Sequence, residues 1–106
     1  MQYLELGQIT ERELVPGFCV RLVHTDHLTL AFWSVEQGAV LPQHAHPHEQ
    51  VTTLQEGQLE LTVEGETKTL LPGSVVIIPP NVPHNGRAIT GCRIIDAFYP
   101  PRDDYR

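Results

Sequence analysis

The stretch LELTVEGETKTLL, residues 59–71, alternates apolar and polar side chains in its first half and has a Glu-Gly pair at its centre. Leu59, Leu61 and Val63 fall on one face of an extended chain, as a half-buried β-strand requires. Glycine at the second central position suits a two-residue hairpin turn, because that turn needs positive φ. The stretch therefore predicts two paired strands, 59–63 and 67–71.

The same strand character continues on both sides of this hairpin. Short runs rich in Val, Ile, Leu and aromatic residues lie at 20–24, 27–35, 51–55, 74–79 and 92–98. Turn signals separate them, among them Pro72-Gly73, Pro79-Pro80-Asn81 and Asn85-Gly86. This spacing predicts an all-β sandwich or barrel. A capping-box pattern over residues 10–13 predicts one short helical turn, at 10–14, which Pro16 ends.

Composition limits the classes of function. With 106 residues and 41% hydrophobic residues, we expect one domain, 1–106, with a real core. The net charge is −6 and the seven Lys and Arg form no cluster, which argues against nucleic acid or an anionic membrane as a partner. Without a long apolar segment or a signal-like start, we expect a soluble, cytoplasmic protein. Cys19 and Cys92 match no metal or redox spacing, so we expect two buried thiols.

Histidines concentrate in the stretch HAHPHEQ, residues 44–50. If residues 41–46 are extended, His44 and His46 point to the same face and can bind one divalent metal ion together. His84 follows the proline-rich turn after residue 78, where a loop could bring it to the same ion. Gln50 and His48 share parity with His46, but Pro47 interrupts regular pairing. The spacing leaves open which of the two is the fourth ligand.

A second group of candidate residues lies near the C-terminus. Asp96 stands among apolar neighbours, so an inward-facing carboxylate should have a raised pKa and could transfer a proton. Phe98 shares its face and is either a substrate contact or plain core. Arg102 follows two prolines and could bind a substrate carboxylate through its planar fork. The alternative for Arg102 is a surface ion pair with Asp103 or Asp104.

The spacing of these residues resembles the two motifs of the cupin family. Gly38, His44, His46, Gln50 and Gly57 follow the first motif, with Gln where many members carry Glu. The second motif is matched by Gly73, Pro79 and His84; Asn81 stands at its usual glycine and Ala88 at its terminal asparagine. The resemblance implies a single-domain cupin jelly-roll β-barrel of two antiparallel sheets, with a metal-binding core at about 28–99, and His44, His46, Gln50 and His84 as ligands.

Three segments, 46–50, 78–84 and 96–102, are similar to the pectin-degradation cupins that linearise unsaturated uronates. The resemblance implies that Asp96, Phe98 and Arg102 face the substrate, with Asp96 and Arg102 taking part in catalysis. We therefore expect a metal-dependent, non-redox enzyme that opens the ring of an anionic, uronate-type sugar acid. The alternatives are an iron- or manganese-dependent dioxygenase and a non-catalytic module that binds metal and ligand.

The ligand set has consequences for the metal and its partner. Three neutral imidazoles and a carboxamide leave the charge of a dication uncompensated, which favours an anionic ligand. These donors suit Zn, Ni, Fe, Mn or Co without choosing among them. Many cupins form homodimers by packing sheets or exchanging N-terminal strands, and residues 3–6 are suited to lie on a neighbour's sheet edge. By this resemblance we expect a homodimer.

Overall fold

Two antiparallel β-sheets face each other in the computed structural model, which describes all 106 residues. The six-stranded sheet has the spatial order β1 (Arg12–Val15), β2 (Phe18–His24), β3 (Thr29–Val35), β10 (Cys92–Tyr99), β5 (Glu49–Glu56), β8 (Val75–Ile78). The four-stranded sheet has the order β4 (Val40–His44), β9 (His84–Ala88), β6 (Leu59–Val63), β7 (Glu66–Leu70). The predicted all-β fold of two antiparallel sheets is confirmed. No helix is long and apolar enough to cross a membrane.

The central hairpin forms as its sequence predicts. Strands β6 and β7 pair from Leu59 opposite Leu70 to Val63 opposite Glu66, so β7 begins one residue earlier than expected. Glu64 and Gly65 have φ of 50° and 78°, the positive values that a tight hairpin turn requires. Local turn chemistry therefore fixes the register of this pair.

The core fills the space between the two sheets. Its largest cluster contains residues from both sheets, including Leu54 and Ile78 from the six-stranded sheet and Leu59 and Leu61 from the other. Full burial of such a side chain contributes about 1.5–3 kcal/mol. A second, smaller cluster contains Val20, Ala31 and Phe98. Strand β10 contributes Ile94 to the larger cluster and Phe98 to the smaller one, and Asp96 lies between these two residues on the same inward face.

Glycine is required at the end of β5. Gly57 has φ of 89°, and a Cβ atom at this position would lie 2.1 Å from the carbonyl oxygen of Gly91. No side chain fits at that distance, so this glycine of the first motif allows a close backbone approach.

Three local expectations are wrong. Residues 12–15 form β1 and pair with β2 instead of forming a helical turn at 10–14, and the 3-10 turn of this region lies earlier, at Leu6–Gln8. Pairing with a neighbouring strand outweighs a weak local capping signal. Asn85-Gly86 lies within β9 and is no turn. Cys92 is buried, but Cys19 is only half-buried, and both are free thiols.

Candidate metal centre

The buried polar side chains of this protein concentrate around one cavity. Eight polar or charged residues are buried, and five of them line the cavity, namely Gln50, Thr52, His84, Asp96 and Arg102. Burial of polar groups costs free energy unless they find partners, so a concentration of them marks a candidate functional site.

Three imidazoles converge beside this cavity, and two of them, His44 and His84, line it. His44 and His84 face each other as register partners of β4 and β9, with ring centroids 4.2 Å apart. His46 lies just beyond the end of β4, and its ring centroid is 5.7 Å from that of His44 and 5.1 Å from that of His84. The candidate ligand nitrogens lie within 4.8 Å of one another. The expected loop position of His84 is wrong, because it is the first residue of β9.

Backbone carbonyls select the tautomer of each ring. The Nδ1 atom lies 2.9 Å from the Pro42 oxygen in His44, 3.2 Å from the His48 oxygen in His46 and 2.9 Å from the Val82 oxygen in His84. A carbonyl only accepts, so each Nδ1–H donates and each Nε2 keeps its lone pair. Burial lowers the pKa of His46 to about 4 and also lowers the pKa of His84. Both rings are therefore neutral at pH 7, as metal ligands must be.

Two atoms of the cluster lack a proper partner. The Nε2 atom of His84 is buried and has no hydrogen-bond partner. The Nε2 atom of His46 lies 3.0 Å from Oε1 of Gln50, so with Nδ1 protonated two lone pairs face each other. A cation between these atoms would satisfy all of them. The residues present therefore fit a divalent metal ion held by three imidazoles and a carboxamide oxygen.

A backbone hydrogen bond joins the two segments that carry the histidines. The N–H of Asn81 donates to the carbonyl oxygen of His46 over 2.8 Å. Asn81 has φ of 65°, a left-handed conformation that Asn adopts more readily than other side chains. Asn81 therefore adopts the left-handed backbone conformation of the glycine usual at this position of the second motif. Its hydrogen bond links the loop after β4 to the loop before β9.

His48 stands beside the cluster and is not part of it. Its ring centroid is 5.3 Å from that of His46 and 6.3 Å from that of Phe98, and its nitrogens do not join the converging group. Gln50, on the inward face of β5, instead brings its Oε1 within 3.0 Å of His46. The geometry therefore favours Gln50 over His48 as the fourth donor.

A chain of hydrogen bonds leads from Gln50 to Asp96. Nε2 of Gln50 donates to Oγ1 of Thr52 over 2.9 Å, and Thr52 donates to Oδ1 of Asp96 over 2.6 Å. The indole N–H of Trp33 donates to the other carboxylate oxygen, Oδ2, over 2.9 Å. Thr52 and Asp96 are register partners of β5 and β10, so the sheet itself places them side by side.

The carboxylate of Asp96 lies in a strongly desolvated position. Its exposed fraction is 6%, and burial raises its pKa from 3.8 to about 6 against the opposing effects of Thr52, Trp33 and Gln50. A carboxyl group with a pKa near 6 can both accept and release a proton near neutral pH. The sequence expectation of an inward carboxylate with a raised pKa agrees with this geometry.

Arg102 brings a buried positive charge to the cavity. Its guanidinium lies over the ring of Phe98 at 4.7 Å and over the ring of Tyr105 at 3.8 Å. Nε and Nη2 donate to the two oxygens of Asp104 over 3.0 and 2.8 Å, and these bonds lower the pKa of Asp104. The ion pair with Asp104 thus forms, but Arg102 is only 5% exposed and lines the cavity.

The cavity is small, and residues near the C-terminus form part of its wall. Its volume is about 60 Å³, which corresponds to a few water molecules at roughly 10–15 Å³ each. Tyr105 and Arg102 line it and belong to the last turn, Asp103–Tyr105, and the residue before it.

Trp33, Thr52 and Tyr105 were not identified from the sequence. Trp33 is the only tryptophan, and a buried indole N–H needs an acceptor, which an inward Asp96 could have supplied. Thr52 lies two residues after Gln50 and therefore shares its face in a strand. No sequence signal places Tyr105 against the cavity, because its position depends on how the C-terminal turn folds back.

Comparison with known proteins identifies a family and two similar structures. Residues 31–98 match the family model described as Cupin domain. KdgF from Halomonas sp. shares 28% identity with a TM-score of 0.93, covering 100% of this chain and 99% of that one. An RmlC-like cupin from Shewanella frigidimarina NCIMB 400 shares 28% identity with a TM-score of 0.94, covering 100% and 96%.

A more distant structure shares the fold alone. Salicylate 1,2-dioxygenase from Pseudaminobacter salicylatoxidans has 19% identity and a TM-score of 0.78, covering 81% of this chain and 27% of its own. Among curated proteins no sequence matches significantly. The family match covers more than half of this chain, so it decides the family.

Proposed function

This chain belongs to the cupin domain family, and we propose that it is a metal-dependent enzyme that opens the ring of an unsaturated uronate-type sugar acid. The observation that carries the proposal is the content of one cavity, where convergent imidazoles, a buried carboxylate and a buried guanidinium lie together. The resemblance to the pectin-degradation cupins supplies the substrate class. The reaction needs a group of each kind: imidazoles to hold the metal ion, a guanidinium to bind the substrate carboxylate and a carboxylate to transfer protons.

The metal ion would be held by His44, His46, Gln50 and His84. When bound, a divalent ion supplies a Lewis acid that polarises an oxygen of the substrate. The four donors carry no charge, so the site as a whole stays positive and attracts an anion. The net charge of the protein, −6, would otherwise repel an acid, and the local charge of Arg102 works in the same direction as the ion.

Arg102 is the group best placed to bind the substrate carboxylate. Asp104 occupies Nε and Nη2, and Nη1 makes no hydrogen bond. The free Nη1 can donate to a carboxylate that enters the cavity, and Asp104 is itself a carboxylate that an incoming one can replace. The rings of Phe98 and Tyr105, which lie perpendicular to each other, both contact the guanidinium, so its orientation is restricted before the substrate arrives.

Ring opening of a 4,5-unsaturated uronate is an isomerisation. The C1 hydroxyl loses its proton as the bond between C1 and the ring oxygen breaks, which leaves an aldehyde at C1 and an enolate with its oxygen on C5. Return of that proton to C4 converts the enolate to a ketone at C5. Atoms and electrons balance with no oxidant. We assign the proton transfers to Asp96, whose carboxyl group lies in the cavity and is held by Thr52 and Trp33.

The test follows the enol signal of an unsaturated monogalacturonate by ultraviolet absorbance or NMR, without oxygen and with protein of measured metal content. The expected result is decay of the enol signal with the wild type and none with Asp96→Asn, although the variant keeps its metal. No decay with a stoichiometrically metal-loaded wild type refutes the proposal. Fe(II)-dependent oxygen uptake would then indicate a dioxygenase, and no turnover at all a binding module.

We also propose that the protein is a homodimer that pairs through the outer face of its six-stranded sheet. Leu30, Ala97, Val51 and Ile77 lie side by side across β3, β10, β5 and β8 and form an apolar row on the outer face. The side chain of Ile77 is 67% exposed. Such a face on neighbouring strands is typical of an interaction site.

The N-terminal arm, residues 1–6, supports a second copy as the partner. Arg21, on the same outer face, donates to the carbonyl oxygens of Leu6, Gly7 and Ile9, so the arm leaves from this face. Tyr3 and Leu4 on the arm are exposed. A two-fold pairing of these faces gives each arm an apolar surface on the other copy.

A further inference from the structure

We infer that Thr52 is a positioning residue that sets the orientation of the Gln50 amide and thereby requires an amide, not a carboxylate, at position 50. This inference rests on the proposed function, because it takes Gln50 as a metal ligand. It goes beyond that function in naming what orients the ligand and what couples it to Asp96.

The Thr52 hydroxyl has a single proton to donate. A hydroxyl donates once and accepts twice. Its one donor serves Oδ1 of Asp96 at 2.6 Å, the shortest bond of the chain from Gln50 to Trp33. Thr52 can therefore only accept from position 50, and its partner there must be an N–H.

The consequence for Gln50 is a fixed rotamer of the amide. With Nε2 donating to Thr52, Oε1 points the other way, to Nε2 of His46 and the shared space of the three imidazoles. Thr52 is 3% exposed, so bulk solvent does not compete with it as the acceptor. Outer hydrogen bonds of this kind orient metal ligands and typically change metal affinity by about 10–100-fold when removed.

The same step explains the departure from the usual Glu of the first motif. A carboxylate at position 50 has no N–H to give, so one hydroxyl proton would have to serve two carboxylates, at positions 50 and 96. One acceptor would then stay unpaired in a buried site, which is costly. Gln at 50, Thr at 52 and Asp at 96 are thus one unit, placed by the parity of β5 and its pairing with β10.

The test uses Co(II) as the probe, because imidazole and carboxamide donors bind it and its visible spectrum reports the ligand set. Thr52→Val keeps the shape and removes the hydroxyl, and Thr52→Ser keeps the hydroxyl. Thr62→Val is the matched control, since Thr62 bonds only to Thr67 on the exposed side of the other sheet. Co(II) titrations give the affinity and the spectrum, and circular dichroism shows that each variant is folded.

We expect Thr52→Val to bind Co(II) roughly tenfold or more weakly and with an altered spectrum, while Thr52→Ser and Thr62→Val match the wild type. Wild-type affinity and spectrum in Thr52→Val overturn the inference. If that variant does not fold, Thr52→Ala removes the hydroxyl without the extra methyl group against the site, and the same outcomes apply to it.

The two proposals fail separately. A wild type that binds Co(II) but leaves an unsaturated uronate unchanged refutes the ring-opening function, whereas the comparison of Thr52 variants still decides the role of the hydroxyl. A wild type that opens the ring while Thr52→Val binds Co(II) normally refutes only the positioning role.

Discussion

Replacement of Asp96 by Asn should remove a loss of stability that the metal-free protein undergoes as the pH rises towards neutral, while it abolishes ring opening. Asp96 is buried, and its folded-state pKa is about 6 against an ordinary value of 3.8. Between these values the folded protein holds a proton that the unfolded chain has already released. The free energy of unfolding contributed by this group is therefore full below pH 3.8 and is lost as the pH rises to about 6.

The magnitude follows from the two pKa values. The interval from 3.8 to about 6, at roughly 1.4 kcal/mol per pH unit, corresponds to about 3 kcal/mol. Asn carries no charge at any pH and escapes this loss. The stability difference between the two proteins should therefore shift by about 3 kcal/mol in favour of the variant between pH 4 and pH 7.

Urea unfolding of both proteins across this range, with the metal removed by chelation, measures the difference directly. Burial lowers the pKa of His46 to about 4, so its contribution to stability rises with pH, opposite to that of Asp96. This contribution is the same in both proteins and cancels when one is subtracted from the other. A stability difference that stays constant with pH, or that turns against the variant as the pH rises, would show that Asp96 is not a desolvated carboxylate.

Four further outcomes are expected. Arg102→Lys should raise KM for the uronate about tenfold or more and leave metal content unchanged, because Lys cannot reproduce the stacked, two-point contact; steady-state kinetics with metal analysis measure both. His84→Gln should lose metal whereas His48→Gln keeps it, as elemental analysis of the two purified variants would show; equal metal content would contradict the ligand assignment. Gln50→Glu should slow ring opening although it adds a negative charge that favours the ion, and a faster enzyme would contradict the argument from Thr52. Ile77→Glu should turn a dimer into a monomer in analytical ultracentrifugation, whereas Lys68→Glu on the other sheet should not; a wild type that is monomeric at micromolar concentration removes the homodimer proposal.

Most of the fold could be predicted, because strand periodicity and turn chemistry are local. Alternation at residues 59–63 and the Glu64-Gly65 turn specify a hairpin before any distant contact forms. The failures are also local signals, at residues 10–14 and at Asn85-Gly86, where pairing with β2 and with β6 decided the structure instead. Pairing energy depends on strands far away in sequence, which a local pattern does not report.

The candidate site could be predicted only in part. The histidines in HAHPHEQ, together with His84, predicted a metal-binding site, and the apolar residues around Asp96 predicted a desolvated carboxylate. The choice between His48 and Gln50 needed the interruption after β4 and the start of β5 at Glu49. Neither parity nor composition specifies where a strand is interrupted.

The sequence by itself determined most of the strands and turns and which side chains bear the chemistry, since these follow from residue type and from a two-residue period. Tertiary structure decided which of those side chains meet. Pairing of β4 with β9 sets His44 against His84, and pairing of β5 with β10 sets Thr52 against Asp96. The final turn then lays Tyr105 over Arg102. The two strand pairings join residues 40 and 44 positions apart, and loop closure over such distances carries no local signal because only the completed sheets compensate its entropy.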